Sequence, residues 1–191
     1  MKQMFFDLET TGFDPEKNCI HQLSGIIVID GKNECRFNFY VRPFPGAVID
    51  PGALAVSGVT AEQIMSYPPP EEACMELVEM LDWYADKDND KDRFFLVGYN
   101  NVSFDDRFFR EFFRQNGGWD FKSRFWHNSI DVMVLASDYL AERRTEMDNF
   151  KLPTVARFLG IDVDDASLHN SVYDIFLTKA IYDIVKSRQN E

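Results

Sequence analysis

Three acidic spots in this chain stand where the local pattern places the ends of structured segments. Asp7 and Glu9 bracket Leu8 directly after the apolar run Met4-Phe5-Phe6, which reads as a short buried strand ending in Asp7-Leu8-Glu9. Residues two apart on a strand point to the same face, so the two carboxylates project together. Such a pair is costly unless a cation sits between its members. Asp105 follows Asn101-Val102-Ser103-Phe104, just past a second buried run and where a helix begins. His169 and Asp174 stand five residues apart at the head of the last apolar stretch. Five helical steps are roughly 500° of rotation, offset but within reach of one cleft mouth. Taken singly, these features have ordinary structural explanations: a solvated turn, a helix-capping acid and a structural histidine. Brought together, four carboxylates would suit hard divalent cations, and an imidazole would suit proton transfer near neutral pH.

Those side chains need a scaffold, and the pattern supplies one. Ile20 to Asp30 carries Leu23, Ile26, Ile27, Val28 and Ile29 and closes in Asp30-Gly31, a strong hairpin turn. Arg36 to Val41 alternates Phe37, Phe39 and Val41 against Arg36, Asn38 and Tyr40, which predicts a half-buried third strand. Pro43 to Pro51 reads as an irregular loop, and Pro68-Pro69-Pro70 interrupts the chain again. Helical spacing recurs over Glu71 to Tyr84, over Phe104 to Arg114, over Leu152 to Leu159 before Gly160, and over Leu168 to Lys186. In the last of these, Val172, Ile175, Phe176, Ala180 and Ile184 are expected inward. Arg93 to Gly98 is a short buried strand, and Ser129-Ile130-Asp131 to Tyr139 a strand end or a helix start. Three meandering strands followed by alternating helices and strands predict a layered α/β fold. Asp86, Asp88 and Asp90 mimic a calcium loop, but Lys91 replaces the required Gly and Val97 the terminal Glu, so this is a solvated turn. The aromatic stretch Asn116 to Asn128, with Trp119, Phe121, Phe125 and Trp126, is expected to fill core rather than stack on bases.

Together the three acidic elements resemble the DEDD exonucleases of the ribonuclease H-like superfamily, a family that includes polymerase proofreading domains, RNase T and oligoribonuclease. The resemblance lies in Phe6-Asp7-Leu8-Glu9-Thr10-Thr11-Gly12, Asn101-Val102-Ser103-Phe104-Asp105, and His169 with Asp174. Ser57-Gly58-Val59-Thr60-Ala61-Glu62 looks like the family's Gly-Ile-Thr segment, and Leu152 to Ile161 like the segment before its last motif. His169 stands five residues before Asp174, and Asn170 rather than a tyrosine stands four before it, so the chain resembles the histidine subtype, DEDDh. Two departures stand out: Tyr99-Asn100 where many relatives have Gly-His, and His21-Gln22 where a Glu is common.

The resemblance implies one exonuclease domain over residues 1–191, with a three-layer fold and a mixed five-stranded sheet flanked by helices. It implies metal-dependent 3′–5′ hydrolysis of single-stranded DNA or RNA, releasing mononucleotides. Asp7, Glu9, Asp105 and Asp174 would hold two Mg²⁺ or Mn²⁺ ions, with His169 as the general base. Glu9 and the backbone of Thr10 and Thr11 would meet the terminal 3′-hydroxyl. Gly12, Phe13, Asn101, Phe104 and Arg107 complete the implied substrate set. Phe13 and Phe104 would wedge against terminal bases, Phe104 doubling as a core candidate. Arg107, Arg110 and Arg114 share one helical face that would grip phosphates or simply face solvent. A polymerase or repair protein is an implied partner, and a homodimer an implied assembly, although no surface in the sequence demands one. The rival reading is a catalytically silent module of the same fold that serves a polymerase or repair complex as a scaffold.

Bulk properties narrow the classes. The 191 residues carry a net charge of −12, with 45% hydrophobic and 27% charged residues and eighteen Phe. That is a globular balance, but the basic footprint of a broad duplex binder is missing. Cations bound at the site would have to supply the local positive charge. Cys19, Cys35 and Cys74 form no CxxC pair, which suits a reducing compartment and argues against a zinc site. No apolar run approaches a membrane span, and the opening residues reach Asp7 too soon for a signal-peptide core. A cytoplasmic protein without membrane attachment is therefore expected.

Overall fold

The computed structural model describes residues 1–117 and 120–188. A five-stranded mixed sheet runs β3-β2-β1-β4-β5, built from β1 (Lys2–Thr10), β2 (Ile20–Ile29), β3 (Lys32–Tyr40), β4 (Phe94–Gly98) and β5 (Ile130–Asp131). β1 pairs antiparallel with β2 and parallel with β4, so it is the central strand where the two pairing modes meet. Asp30 and Gly31 join β2 to β3 with φ of 49° and 82°, the two positive values that a tight hairpin turn requires.

Period-two alternation splits β1 between two cores. Met4, Phe6 and Leu8 enter the first, against α3 (Pro70–Tyr84) and α4 (Asp105–Gln115). Phe5 enters the second, with Val97, against α6 (Val132–Tyr139), α7 (Leu152–Phe158) and α8 (Ser171–Arg188). Asp7 and Glu9 continue the Phe5 row, so the strand itself aims both carboxylates toward the α8 layer. The ladder with β4 stops at Phe5–Val97, leaving Asp7 and Glu9 beyond the end of β4. That carboxyl edge of parallel strands is where α/β sheets place their ligand crevices.

Several expectations need correction. The irregular stretch from Pro43 ends at Asp50, and two helices without an expected counterpart follow it, α1 (Pro51–Ser57) and α2 (Ala61–Met65). Asp50 accepts from the Gly52 amide and Pro51 opens α1, Gly58 closes it at φ 68°, and Thr60 caps α2. α8 begins at Ser171 rather than Leu168. The Asn170 carboxamide takes the amides of Val172 and Tyr173 at 3.1 and 3.3 Å, which fixes it as the cap. Its inward side is also different. Ile175, Leu177, Ile181, Tyr182 and Val185 are buried, Ala180 and Ile184 are half-buried, and Val172 and Phe176 are 44% and 56% exposed. Apolar residues surround this helix, so the sequence offers more than one plausible stripe.

The aromatic stretch behaves as core where it is described. The four-residue α5 (Phe121–Arg124) and Phe125 join Phe109 and Phe113 in a cluster of edge-on rings. Trp126 stacks on Phe95, whereas Trp119 lies outside the described residues. Asp86 to Asp92 is an exposed turn closed on itself, with the Asp86 amide on Asp92 at 2.9 Å.

Candidate active site

Three elements bring the acids together. β1 supplies Asp7 and Glu9, the first turn of α4 supplies Asp105, and the first turn of α8 supplies Asp174. β1 and β2 slip register between Glu9 and Thr10, an irregularity of the kind that re-aims side chains beside active sites. Gly98 lets the chain turn from β4 toward Asp105 at close quarters. A Cβ there would lie 2.7 Å from that of Asn101 and 3.3 Å from the Phe6 carbonyl oxygen.

The neighbours of Asp7 are like charges. Burial, then Asp105, Glu9 and Asp174 in turn, push its carboxyl well above the ordinary value. Burial also lifts Glu9 to about 7, with Asp174 adding to the rise and a Ser57 hydrogen bond opposing it. Asp105 goes to about 7, mainly by burial, while its own amide and that of Leu8 pull it down. Asp174 rises to about 6 by burial, restrained by the nearby His169 and its backbone amide. No ion pair among the described residues reaches any of the four. Asp174 Oδ1 is buried with no protein partner. Among the described residues, no three acidic, imidazole or thiol side chains are converged closely enough, as they stand, to hold a metal ion. The acids are electrostatic neighbours whose repulsion favours keeping a proton or admitting a cation.

Adjacent acids separate cleanly. Asp106 turns from the site and accepts from Asn101 Nδ2 at 3.0 Å and from the Ser129 hydroxyl. Asn101 is therefore a fully buried strut under Asp106 rather than an open substrate contact.

His169 lies in an exposed turn with φ 64°, before α8 rather than on it. A left-handed histidine is a sparsely populated conformation of the kind found at functional sites. It reaches Asp174 through the turn, so the helical rotation expected between them does not apply. Tyr173 is engaged elsewhere, its hydroxyl accepting from the Asp164 amide at 2.8 Å.

Among the expected substrate contacts, Thr11 is buried and engaged. Its amide donates to the Cys19 carbonyl at 2.9 Å, its hydroxyl to Val48 at 2.9 Å, and its carbonyl accepts from Asp50. It braces the loop, as does Gly12, where a Cβ would come within 2.4 Å of the Asn18 carboxamide. Thr10 is also buried, its hydroxyl on the Gly12 carbonyl at 2.8 Å. Phe13 is 74% exposed and meets Phe104 edge-on at 6.2 Å, while Phe104 packs back onto Phe108 at 5.0 Å. Phe104 is thus both core and rim.

Of the arginine stripe, Arg110 lies over the Phe121 ring and bonds the His127 carbonyl, and Arg114 pairs with Glu111. Arg107 is exposed and lines a cleft of about 550 Å³ with Val102, Asp106, Arg110 and His127. Two residues beside Glu9 escaped the sequence reading as participants. Ser57 Oγ donates to Glu9 Oε2 at 3.0 Å and also lies 3.2 Å from His21 Nε2.

A family model described as Exonuclease (RNase T) matches residues 4–182. Exodeoxyribonuclease I of Escherichia coli (strain K12) is 25% identical over 205 residues, covering 97% of this chain and 40% of that protein. Ribonuclease T of Shewanella frigidimarina (strain NCIMB 400) is 27% identical over 198 residues, covering 95% and 80%. The fold matches the zinc-ion-bound form of the E. coli exonuclease I complex with single-stranded DNA. The TM-score is 0.76 at 22% identity, over all of this chain and 41% of that one. The chain thus spans about two fifths of exonuclease I, and its fold is ribonuclease H-like.

Proposed function

The chain belongs to the RNase T exonuclease family, and on that premise we propose that it is a metal-dependent 3′–5′ exonuclease. It hydrolyses phosphodiester bonds from the 3′ end of single-stranded DNA or RNA and releases mononucleotides. The carrying observation is the set of four acids on three elements, all held above their ordinary values chiefly by burial, with acidic neighbours adding to the rise at Asp7, Glu9 and Asp105, and no ion pair among the described residues reaching any of them. The buried, unpartnered Asp174 Oδ1 fits a cation site in the same place. Asp7, Glu9, Asp105 and Asp174 would hold two Mg²⁺ or Mn²⁺ ions. When bound, such ions lower the pKa of water and stabilise the leaving 3′ oxygen of an in-line displacement.

The chain's own residues do the rest. Asp7 and Glu9, fixed by the central strand, would hold the cations toward the cleft where the reacting phosphate must lie. His169 removes the proton of the attacking water at an imidazole nitrogen, and its exposed turn gives that nitrogen access to the cleft. Phe13 against Phe104 forms a rim on which a terminal base can rest. Arg107 faces the phosphates that follow. Residues 1–191 act as one exonuclease unit, and the three free thiols suit the cytoplasm.

The test is degradation of 5′-labelled single-stranded DNA and RNA oligomers with Mn²⁺, Mg²⁺ or chelator, beside a His169→Ala control. A metal-dependent ladder of shortened 5′-labelled products, weakened about 10²–10⁴-fold in the control, is the expected result. No cleavage of either polymer with either ion would move the assignment to a silent binding module.

A further inference from the structure

Behind Glu9 a hydrogen-bonded chain crosses three elements. Ser57, the last residue of α1, gives its hydroxyl to Glu9 Oε2 at 3.0 Å. Ser57 Oγ in turn lies 3.2 Å from Nε2 of His21 on β2. His21 is fully buried, and its Nδ1 is buried without a partner.

Proton counting orders this chain. A serine hydroxyl carries one hydrogen, and an ionised carboxylate only accepts. With Glu9 ionised, Ser57 must spend its hydrogen on Glu9, so the Ser57 oxygen accepts from His21 Nε2–H. A neutral imidazole has a single N–H, which leaves Nδ1 as a bare acceptor. In the structure Nδ1 is buried and makes no hydrogen bond. Burial independently holds His21 neutral, pushing it down to about 4.

We propose that Ser57 and His21 are positioning residues for the reaction: the chain His21 Nε2–H to Ser57 Oγ–H to Glu9 Oε2 fixes the Glu9 carboxylate and leaves its other oxygen for the divalent ion. The inference rests on the exonuclease reading above and assigns the support of one of its ligands. Gly58 closes α1 at φ 68° and so sets where Ser57 stands, and the slip after Glu9 sets where the carboxylate meets it.

The experiment uses the full chain as wild type, Ser57→Ala and Ser57→Thr. Melting temperature is titrated with Mn²⁺ alone, then kcat and KM are measured on a single-stranded oligomer. Ser57→Ala should raise the Mn²⁺ midpoint about 10–100-fold, the range typical of a lost ligand support. It should lower kcat with KM little changed, and Ser57→Thr, which keeps the hydroxyl, should bring both back toward wild type. Nitrogen-15 NMR of the Mg²⁺-loaded wild type should show the His21 proton on Nε2, a readout that needs no variant to fold. A wild-type Mn²⁺ midpoint in Ser57→Ala, or a His21 proton on Nδ1, would overturn the chain alone. A wild-type protein with neither metal response nor cleavage would overturn the exonuclease reading and this inference with it.

Discussion

Asp7 is the residue on which the site's electrostatics converge, because burial and three neighbouring acids all oppose its ionisation. Replacing it with Asn removes one buried charge but keeps the shape of the side chain. The metal-free protein should therefore melt at a higher temperature, while turnover is abolished. The wild type should gain stability with Mn²⁺, about 2.7 kcal/mol at a hundredfold excess over Kd, and Asp7→Asn should not. Equal Mn²⁺ shifts in thermal melts of the two proteins would sink the ligand assignment. Asp174→Asn should behave alike, since its Oδ1 has no other partner to lose. Asp106→Asn tests the contrast between adjacent acids. It should cost stability through the Asn101 and Ser129 contacts and leave the metal response in place.

At the scale of elements, the site depends on where helices begin. Asn170 caps α8, and Asp174 sits in that helix's first turn with His169 two residues before the helix. Asn170→Ala should lower stability by about 1 kcal/mol and reduce kcat as well, because the first turn carrying Asp174 frays. Denaturant melts and steady-state rates would check this, and a loss of stability with kcat untouched would show the cap to be purely structural. The same element shows what a sequence can and cannot disclose. The Asp7–Glu9 pair was legible because strand periodicity and the hairpin at Asp30-Gly31 are local, and the sheet follows from them. The inward side of α8 was not, because Val172 and Phe176 are as apolar as the residues that do face in, and packing partners made the choice. α1 and α2 carry local signals in Asp50-Pro51, Gly58 and Thr60, but they are too short for apolar periodicity to mark them. Thr11 and Asn101 look like substrate contacts by position, but the Thr11 amide and hydroxyl are taken by Cys19 and Val48 and the Asn101 Nδ2 by Asp106, while the buried Asn101 Oδ1 has no protein partner. Ser57 and His21 lie 48 and 12 residues from Glu9 in sequence, and only the folded chain joins them.

At the scale of the whole molecule, the acids make stability depend on pH and metal together. Glu9 and Asp105 titrate near 7 in the fold and Asp174 near 6, all above their ordinary values of 4.5, 3.8 and 3.8. Asp7 is displaced in the same direction. Between those limits the folded, metal-free chain binds more protons than the unfolded one. Their contribution is fully present below pH 4 and is lost as pH rises through 6 to 7. His21 works the other way. Pushed down to about 4 from 6.5, it removes stability as pH falls through that interval. Exposed acids held low by partners, such as Asp14 and Asp164, likewise favour higher pH, but solvent weakens them. The window from about pH 6.5 to 8 therefore spans the titration of Glu9 and Asp105 with the tail of Asp174, buried Asp106 is displaced in the same direction, and growing self-repulsion of a chain at −12 adds to their effect. In chelator, the melting temperature should fall across that window. Saturating Mn²⁺ should reverse the slope, because a cation displaces the protons these carboxyls hold in its absence. Glu9→Gln should flatten the chelated slope, since one group titrating at about 7 is gone. A chelated melting temperature that holds level or climbs from pH 6.5 to 8 would mean the acids do not share a buried field, and the cation site argued from that field would fall with it.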